Sequence, residues 1–363
     1  MTKAAELAKM GEVLTNSQIG GRRNIILNPK MAIAQRGTSS TGLGASSIYA
    51  TVDRFNHAFA STAGRLTSEQ VADGPSGFAN CLKLSCTTAD TSITADEAAL
   101  IEQKLEGQDL QQLKKGTSDA EKVTVSFYVK GNASATYTVE LEDNDNSRFA
   151  SQEFSVTTSW TRVTKTFVAD TTGTLNDDNA VSLSLKFWLH GGSTYTGGTH
   201  TSNTWHTTTN ARLSDNQTSF FDSTSRTFFI TGLQMEIGSQ ATPFEHRSFG
   251  EELALCQRYY QQIVGVSDLT ILGSGRANGT TIAQVPIPLA VSLRASPTVN
   301  SLAFAVFGTS GTGATATATP TVKKFTPEGA VLHMGFTASG LVNGQTATVA
   351  TNSASTFKMN SEL

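Results

Sequence analysis

The strongest constraint on the fold is a repeated alternation of apolar side chains with threonine and serine. Residues 123–129 read Val-Thr-Val-Ser-Phe-Tyr-Val. β-Branched and aromatic residues at alternate positions suit a pleated strand with one buried face. Charged residues make up only 16% of the chain, while 31 glycines can supply turns. We therefore expect a mainly β protein, with strands of its central region at 122–130, 135–142, 153–157, 160–168, 180–189 and 226–237.

An N-terminal segment and a later segment have the apolar spacing of amphipathic helices instead. Residues 2–15 carry one apolar stripe, and Ser248 to Glu251 forms a capping box that opens a helix ending at Gly265. Helices this short are marginal in water on their own, so these stripes need a partner in the subunit, in a neighbouring copy or at a docking site. The residues that we assign to docking or oligomer contacts are Leu7, Leu14, Leu253, Tyr260 and Ile263.

A further capping box lies inside the β region. Thr94 and Glu97 have the required spacing, and apolar residues follow at helical intervals until Gly107. The pattern predicts a short helix between two strands.

Charge and hydropathy exclude two classes of partner. The net charge is −3, with lysines and arginines scattered along the chain, so nucleic-acid binding is not expected. No apolar run approaches the ~20 residues that span a bilayer, and membrane insertion is not expected either. The first residues lack the apolar core of a signal peptide. We therefore expect synthesis in a cytoplasm.

Neither a metal nor a cofactor is expected from the motifs. The three cysteines, Cys81, Cys86 and Cys256, have no repeated spacing, which argues against a disulfide framework or a zinc site. Residues 143–147 place oxygen-bearing side chains at alternate positions, as a calcium loop does, but Arg148 occupies the position of the turn glycine. A polar turn is the better interpretation.

Catalytic motifs are equally sparse, and we expect no enzymatic activity and no catalytic residues. The chain has no nucleophile elbow, no zinc-protease motif and no phosphate loop. A glycosidase would need two carboxylates around the sugar. Glu140 and Glu142 share one face of a predicted strand, but such neighbours are typical of a solvated surface.

Eight motifs occur in an order that is similar to one known family. They are Asn24–Asn28, Met31–Gly37, Tyr49–Phe55, Ile101–Gly107, Val123–Val129, Phe229–Gly238, Thr242–Glu245 and Cys256–Tyr260. This series resembles the carbohydrate-binding-type jelly rolls of phage tail fibres and tail-associated proteins, over about residues 22–262. The resemblance implies a jelly-roll β-sandwich, a place in a virion and, by analogy, a homotrimer.

One aromatic-rich loop is the candidate for sugar recognition, which uses aromatic faces and a few polar groups. Residues 188–206 concentrate tryptophan, tyrosine and histidine among glycines. We expect Trp188 to end a strand in the core. The candidate glycan-binding residues are Tyr195, Trp205, His200 and His206. The alternative is that these rings pack under their own loop or against a neighbouring subunit.

The expected organisation has four parts. They are an N-terminal docking helix with its connector (1–21), a jelly-roll body (22–247), a linker helix (248–265) and a smaller C-terminal β-sandwich (266–363). The expected function is that of a virion protein, a tail fibre or fibre-like appendage that contacts other tail or capsid proteins and attaches to a host-surface polysaccharide. The alternative is an architectural capsid decoration or tail adaptor without glycan binding, and a glycan-degrading enzyme is disfavoured.

Overall fold

The computed structural model describes residues 3–5, 23–265, 270–308, 313–326, 329–352 and 355–363. The chain divides into two units, Met1–Phe249 and Gly250–Leu363. Antiparallel strands dominate both units. The prediction of a mainly β protein with a sandwich of the jelly-roll type is confirmed.

The first unit contains two six-stranded antiparallel sheets, which we call sheet I and sheet II. Sheet I has the strand order β1 (Ser39–Leu43), β4 (Arg65–Val71), β5 (Cys81–Thr88), β12 (Thr227–Ile237), β7 (Val123–Gly131) and β10 (Thr161–Phe167). Sheet II has the order β2 (Ile48–Tyr49), β3 (Asn56–Ala60), β6 (Ala98–Glu106), β11 (Val181–Gly191), β8 (Ala135–Asp143) and β9 (Arg148–Val156). The chain passes repeatedly from one sheet to the other, as jelly-roll strands do.

The core of the first unit lies between the two sheets. Phe127 of sheet I packs edge to face on Phe154 and Phe187 of sheet II, with ring centroids 5.1 and 5.0 Å apart. Because alternate residues of each strand point into this layer, the other half of each strand forms an outer face on sheet I and on sheet II. Short helical turns connect the strands: η1 (Gly107–Asp109), η2 (Gln111–Leu113), α1 (Ser193–Thr196) and η3 (Thr209–Ala211).

Hydrogen bonds join the first and last chain segments of the sandwich, residues 23–26 and 245–247, in what we call the clasp. Glu245 Oε2 accepts hydrogen bonds from the backbone N–H groups of Arg23 and Asn24 at 2.7 and 2.8 Å. Arg247 is buried, and it donates to the carbonyl oxygens of Ile26, at 3.0 Å, and Asn24. These are charge-assisted hydrogen bonds, which are stronger than neutral ones.

The predicted helix between Thr94 and Gly107 is wrong. Thr94 and Glu97 make one of the two hydrogen bonds of a capping box, since Glu97 Oε1 accepts from Thr94 N at 2.8 Å; Thr94 Oγ1 donates to the same oxygen at 2.9 Å. The chain then enters β6, which pairs with β3 and β11 in the middle of sheet II. Burial between two strands outweighs the weak local preference for a helix.

The linker helix is shorter than predicted. Helix α2 spans Phe249–Gln257, and Tyr260 and Ile263 lie on strand β13 (Tyr260–Val264). Placing these two residues on the helix was therefore wrong. They face Asn360 and Phe357 of strand β22 (Thr356–Asn360), and aromatic and β-branched residues suit that pairing. Leu253 lies on α2 and is partly buried; its role in oligomer contacts stays a prediction.

The second unit has two antiparallel sheets and its own core. The smaller sheet has the order β13, β22, β16 (Thr298–Val299). The larger has the order β18 (Gly313–Ala318), β17 (Leu302–Gly308), β21 (Thr346–Thr351), β14 (Ile271–Asn278), β15 (Ile282–Pro288), β20 (Val331–Thr337) and β19 (Thr321–Lys324). Phe336 is fully buried between Phe304 and Phe357, with ring centroids 5.1 and 6.3 Å away.

The predicted N-terminal helix lies mostly outside the described residues. Residues 3–5 are helical, whereas Leu7 and Leu14 fall outside the described ranges. No helix within those ranges is long and apolar enough to cross a membrane.

Candidate functional site

The aromatic-rich loop lies over the outer face of sheet II. Between β11 and β12, the chain runs back across this face through α1 and η3. Leu213 is fully buried and packs with Trp188 and Leu100 in a small apolar cluster. The Tyr195 ring packs on Trp188, with centroids 4.9 Å apart. Trp188 is 2% exposed, so it is buried as expected, but in this outer cluster and not between the sheets.

On the same face, Arg212 binds the carboxylates of Glu140 and Glu142, which were predicted to be solvated. Its Nε donates to Glu140 Oε2 at 2.9 Å, and its Nη2 donates to Glu142 Oε2 at 3.2 Å. Trp188 Nε1 donates to Glu140 Oε1 at 3.1 Å. The guanidinium carbon lies 3.9 Å from the ring centroid of Phe149. Glu140 has no exposed surface, so the solvated interpretation was wrong. Its counter-ion comes from residues 191–226, which we call the covering loop.

These contacts fix the charge state of Glu142. Burial alone would raise the pKa of its carboxyl, but the Lys186 ammonium and the Arg212 guanidinium outweigh it and hold that pKa below its usual range. Lys186 also lies 3.6 Å from Glu102 Oε2. A carboxyl that stays ionised is a poor general acid, whereas glycosidases raise the pKa of theirs.

The four predicted glycan-binding residues are each held within the first unit. Trp205 Nε1 donates to the carbonyl oxygen of Val168 at 2.9 Å. His200 Nε2 lies 3.0 Å from Ser151 Oγ. His206 pairs with Phe149 through two backbone hydrogen bonds of 2.8 and 2.9 Å. The two histidines thus lie along β9, and Tyr195 packs on Trp188. Sugar contact by these residues stays a prediction.

The polar turn at 143–147 is organised around a lysine. Lys115 Nζ bonds to the carboxylate of Asp143, to Asp170 Oδ2 at 3.0 Å and to the carbonyl oxygens of Thr172 and Gly173 at 3.0 and 2.9 Å. Its side chain is 5% exposed. In the described part of the chain, no three His, Cys, Asp or Glu side chains group as metal ligands. The ammonium supplies the positive charge that the two carboxylates need.

A serine–histidine–carboxylate row also occurs, although no sequence motif indicated it. His190 Nδ1 lies 2.8 Å from Ser219 Oγ, and His190 Nε2 lies 2.9 Å from Glu97 Oε2. The imidazole has no exposed surface. Ser219 Oγ also accepts from the backbone N–H of Phe221 at 3.1 Å. Because the base is sealed from solvent, the row is suited to fastening the covering loop to β11 and not to proton transfer with a substrate.

The outer face of sheet I is different, because aromatic rings and charges are half-exposed there. Strand register aligns Glu69, Lys83, Phe229 and Lys130 across four strands. Trp160, just before β10, completes what we call the cross-strand row. Lys130 Nζ lies 4.7 Å from the centroid of the Phe229 ring and 5.2 Å from that of Trp160. Cations at such distances are attracted to ring faces.

A second aromatic group extends this surface. Phe78 packs against Tyr128 and Phe244 at centroid distances of 5.3 and 4.8 Å, and Phe244 contacts His246. Gly232 lies under Phe78 in a β-bulge with a φ of 63°. A Cβ there would sit 2.8 Å from Phe78 Cζ, so only glycine lets this ring lie down on the sheet.

This surface combines the elements that sugar recognition uses. Half-exposed rings can stack on pyranose faces, and ammonium and carboxylate groups beside them can bind hydroxyls. Sequence reasoning missed it because Lys83, Lys130, Trp160 and Phe229 are far apart in the chain and meet only through strand register. The one local signal is that Lys130 and Phe229 alternate with core residues on their strands.

Comparison with known proteins gives one family match. Residues 85–191 match the model of the carbohydrate binding domain CBM_4_9. Strands β6 to β11 fall within the matched segment. No curated protein matches the chain.

Several solved structures are similar to this chain. A putative sugar binding protein from Bacteroides thetaiotaomicron is 13% identical, with 60% of this chain and 100% of that one covered and a TM-score of 0.32. The CBM22-1 xylan-binding domain of Paenibacillus barcinonensis Xyn10C is 12% identical, with 61% and 100% covered and a TM-score of 0.29. The enzymatically active domain of tailspike protein 4 of bacteriophage CBA120 is 10% identical, with 59% and 21% covered and a TM-score of 0.29.

Proposed function

We propose that this chain is a non-catalytic, carbohydrate-binding structural protein of a phage virion. In this proposal, the outer face of sheet I binds a polysaccharide of the host surface. The observation that carries glycan binding is that the domain matching a carbohydrate-binding family over residues 85–191 presents a half-exposed row of aromatic and charged side chains.

The virion context is supported by the ordered sequence motifs between residues 22 and 262. A tail fibre or fibre-like appendage, assembled as a homotrimer with other tail or capsid proteins, would present several copies of the same surface. Copies held together raise the effective concentration of each site, so weak single contacts become firm attachment. Residues 1–21 would dock the subunit on the particle.

The non-catalytic character is supported by the state of the acidic and basic groups on sheet II. Glu142 is kept ionised by its cations, Glu140 has no exposed surface, and the His190 imidazole is sealed. Each of these groups is engaged by a side chain of the same unit.

A glycan array probed with the full chain tests the binding proposal. We expect binding by the wild type and a loss of tenfold or more in the double variant Phe229→Ala, Trp160→Ala, because each stacked ring contributes about 1 kcal/mol. Phe249→Ala is the matched control, since this ring is 61% exposed and lies outside sheet I. Binding that survives the double variant would contradict the assigned surface. No binding to any glycan would overturn the proposal and leave the architectural alternative.

Labelling of purified virions tests the context. Antibodies against the second unit should decorate one fixed site on the particle, and deletion of residues 1–21 should abolish incorporation. Particles without label would contradict the virion assignment.

A further inference from the structure

Two lysines of the cross-strand row stand on either side of Phe229. Strand register places Lys83 directly beside Phe229 on one neighbouring strand and Lys130 directly beside it on the other. The two lysines are therefore two strand spacings apart, roughly 10 Å. This backbone separation is close to the length of two linked pyranose rings, so we expect one disaccharide step along a polysaccharide to extend from the strand of Lys83 to the strand of Lys130.

Both ammonium groups are paired with carboxylates that reach the solvent. Lys83 Nζ lies 2.9 Å from Glu69 Oε2, and both side chains are close to 30% exposed. Lys130 Nζ lies 2.7 Å from Asp73 Oδ2, and the Asp73 side chain is 51% exposed. Exposed ion pairs contribute little to stability. Exchange of the protein carboxylate for a ligand carboxylate therefore costs little, and the released Asp73 returns to water.

Lys130 is also preorganised by aromatic rings. Its ammonium lies near the faces of both Phe229 and Trp160, so it keeps its position when its carboxylate partner is exchanged. A sugar whose carboxylate reaches Lys130 would lie beside these two rings. Lys115 and Lys186 differ from Lys130, because each of them contacts two carboxylates; their side chains are 5% and 14% exposed, against 19% for Lys130.

We infer that the ligand of sheet I is an acidic polysaccharide that carries a carboxylate on about every second sugar. This inference rests on the proposed glycan-binding function. Lys83 and Lys130 bind successive carboxylates of the polymer, and Phe229 with Trp160 supports the sugar between them.

Hyaluronan oligosaccharides test the inference, because their carboxylates alternate along the chain. Carboxyl-reduced hyaluronan is the matched neutral probe. We expect the full chain to bind the acidic form at least tenfold more tightly than the reduced form in titration calorimetry. Raising the ionic strength from about 0.05 to about 0.5 M should weaken binding of the acidic form, because added salt screens exposed ion pairs.

Charge-removing variants locate the effect. Lys83→Gln and Lys130→Gln should each reduce the affinity for hyaluronan about fivefold or more, and leave the affinity for the reduced polymer within about twofold. Lys358→Gln, an exposed lysine of the second unit, is the matched control and should change neither affinity. A control variant that weakens binding as much as the two row variants would contradict the assignment to this row.

The outcomes separate the inference from the function on which it rests. Equal or tighter binding of the carboxyl-reduced polymer, or array binding to neutral glycans alone, overturns the acidic ligand and leaves glycan binding in place. Absence of binding to hyaluronan, to its reduced form and to every array glycan overturns both.

Discussion

The two outer faces of the same sandwich differ in how far their charged side chains are removed from water. On sheet II, the chain covers its own surface with residues 191–226, and Arg212 completes the charges of Glu140 and Glu142. On sheet I, rings and ion pairs stay half in water, and Lys130 has a carboxylate partner that is 51% exposed. The two faces thus differ in how far their charged side chains are desolvated.

This difference separates structural charges from available ones. A buried carboxylate must keep its counter-ion, because an unpaired charge in a low-dielectric site is very costly. An exposed pair can exchange its partner at small cost. The charges of Glu140 and Glu142 on sheet II are therefore committed to the fold, whereas the ion pairs of Lys83 and Lys130 on sheet I can be exchanged at small cost.

The largest effect is expected where the covering loop neutralises sheet II. Arg212→Met keeps much of the apolar stem but leaves Glu140 buried without its cation. We expect a loss of about 3–5 kcal/mol in the free energy of unfolding, measured by urea denaturation of the first unit's transition. Arg162→Met, an exposed arginine on sheet I, is the control and should cost less than about 1 kcal/mol. Equal losses of unfolding free energy in the two variants would contradict the proposed difference between sheet I and sheet II.

An intermediate effect should appear as a pH dependence of sheet II. The pKa of Glu142 is lowered in the folded state, so its contribution is present above its ordinary value of 4.5 and is lost as the pH falls through the lower folded-state value. Glu142→Gln should cost about 1–2 kcal/mol at pH 7. The gap in unfolding free energy between wild type and variant should shrink on acidification. A gap that stays constant or widens below pH 4.5 would contradict the assigned ion pairs.

The smallest effect is expected on sheet I. Lys130→Gln breaks an exposed ion pair and two cation–ring contacts, and we expect less than about 1 kcal/mol of destabilisation. Chemical denaturation measures it against wild type at the same salt concentration. A loss near that of Arg212→Met would show that sheet I, too, depends on its charges for folding.

Much of the fold could be predicted from local pattern. The runs around Val123–Val129 and Phe229–Ile237 alternate, and both form central strands of sheet I. The segment after Glu97 was wrongly predicted to be a helix because its apolar residues have helical spacing. Its pairing with β3 and β11 depends on residues far away in the chain, which local spacing does not report. Likewise, Tyr260 and Ile263 continue the helical apolar spacing in the sequence, but they pair with strand β22, nearly 100 residues further along the chain.

The candidate site could be predicted far less well. Composition located the aromatic loop but did not show what its rings contact. The Trp205 indole donates to the carbonyl oxygen of Val168, and the Tyr195 ring packs on Trp188. The cross-strand row is created by register alone, which a local window cannot reveal. Even the family match ends at residue 191 and does not reach Phe229.

The clasp between residues 23–26 and 245–247 has a mechanical consequence. Because Glu245 and Arg247 hold the backbone of Arg23, Asn24 and Ile26, a pull applied at the two ends of the sandwich is borne first by these few hydrogen bonds, loaded in parallel. The sheets would carry tension only after the clasp has opened. A force that opens only the clasp would therefore leave the two sheets, and the outer face of sheet I, unchanged.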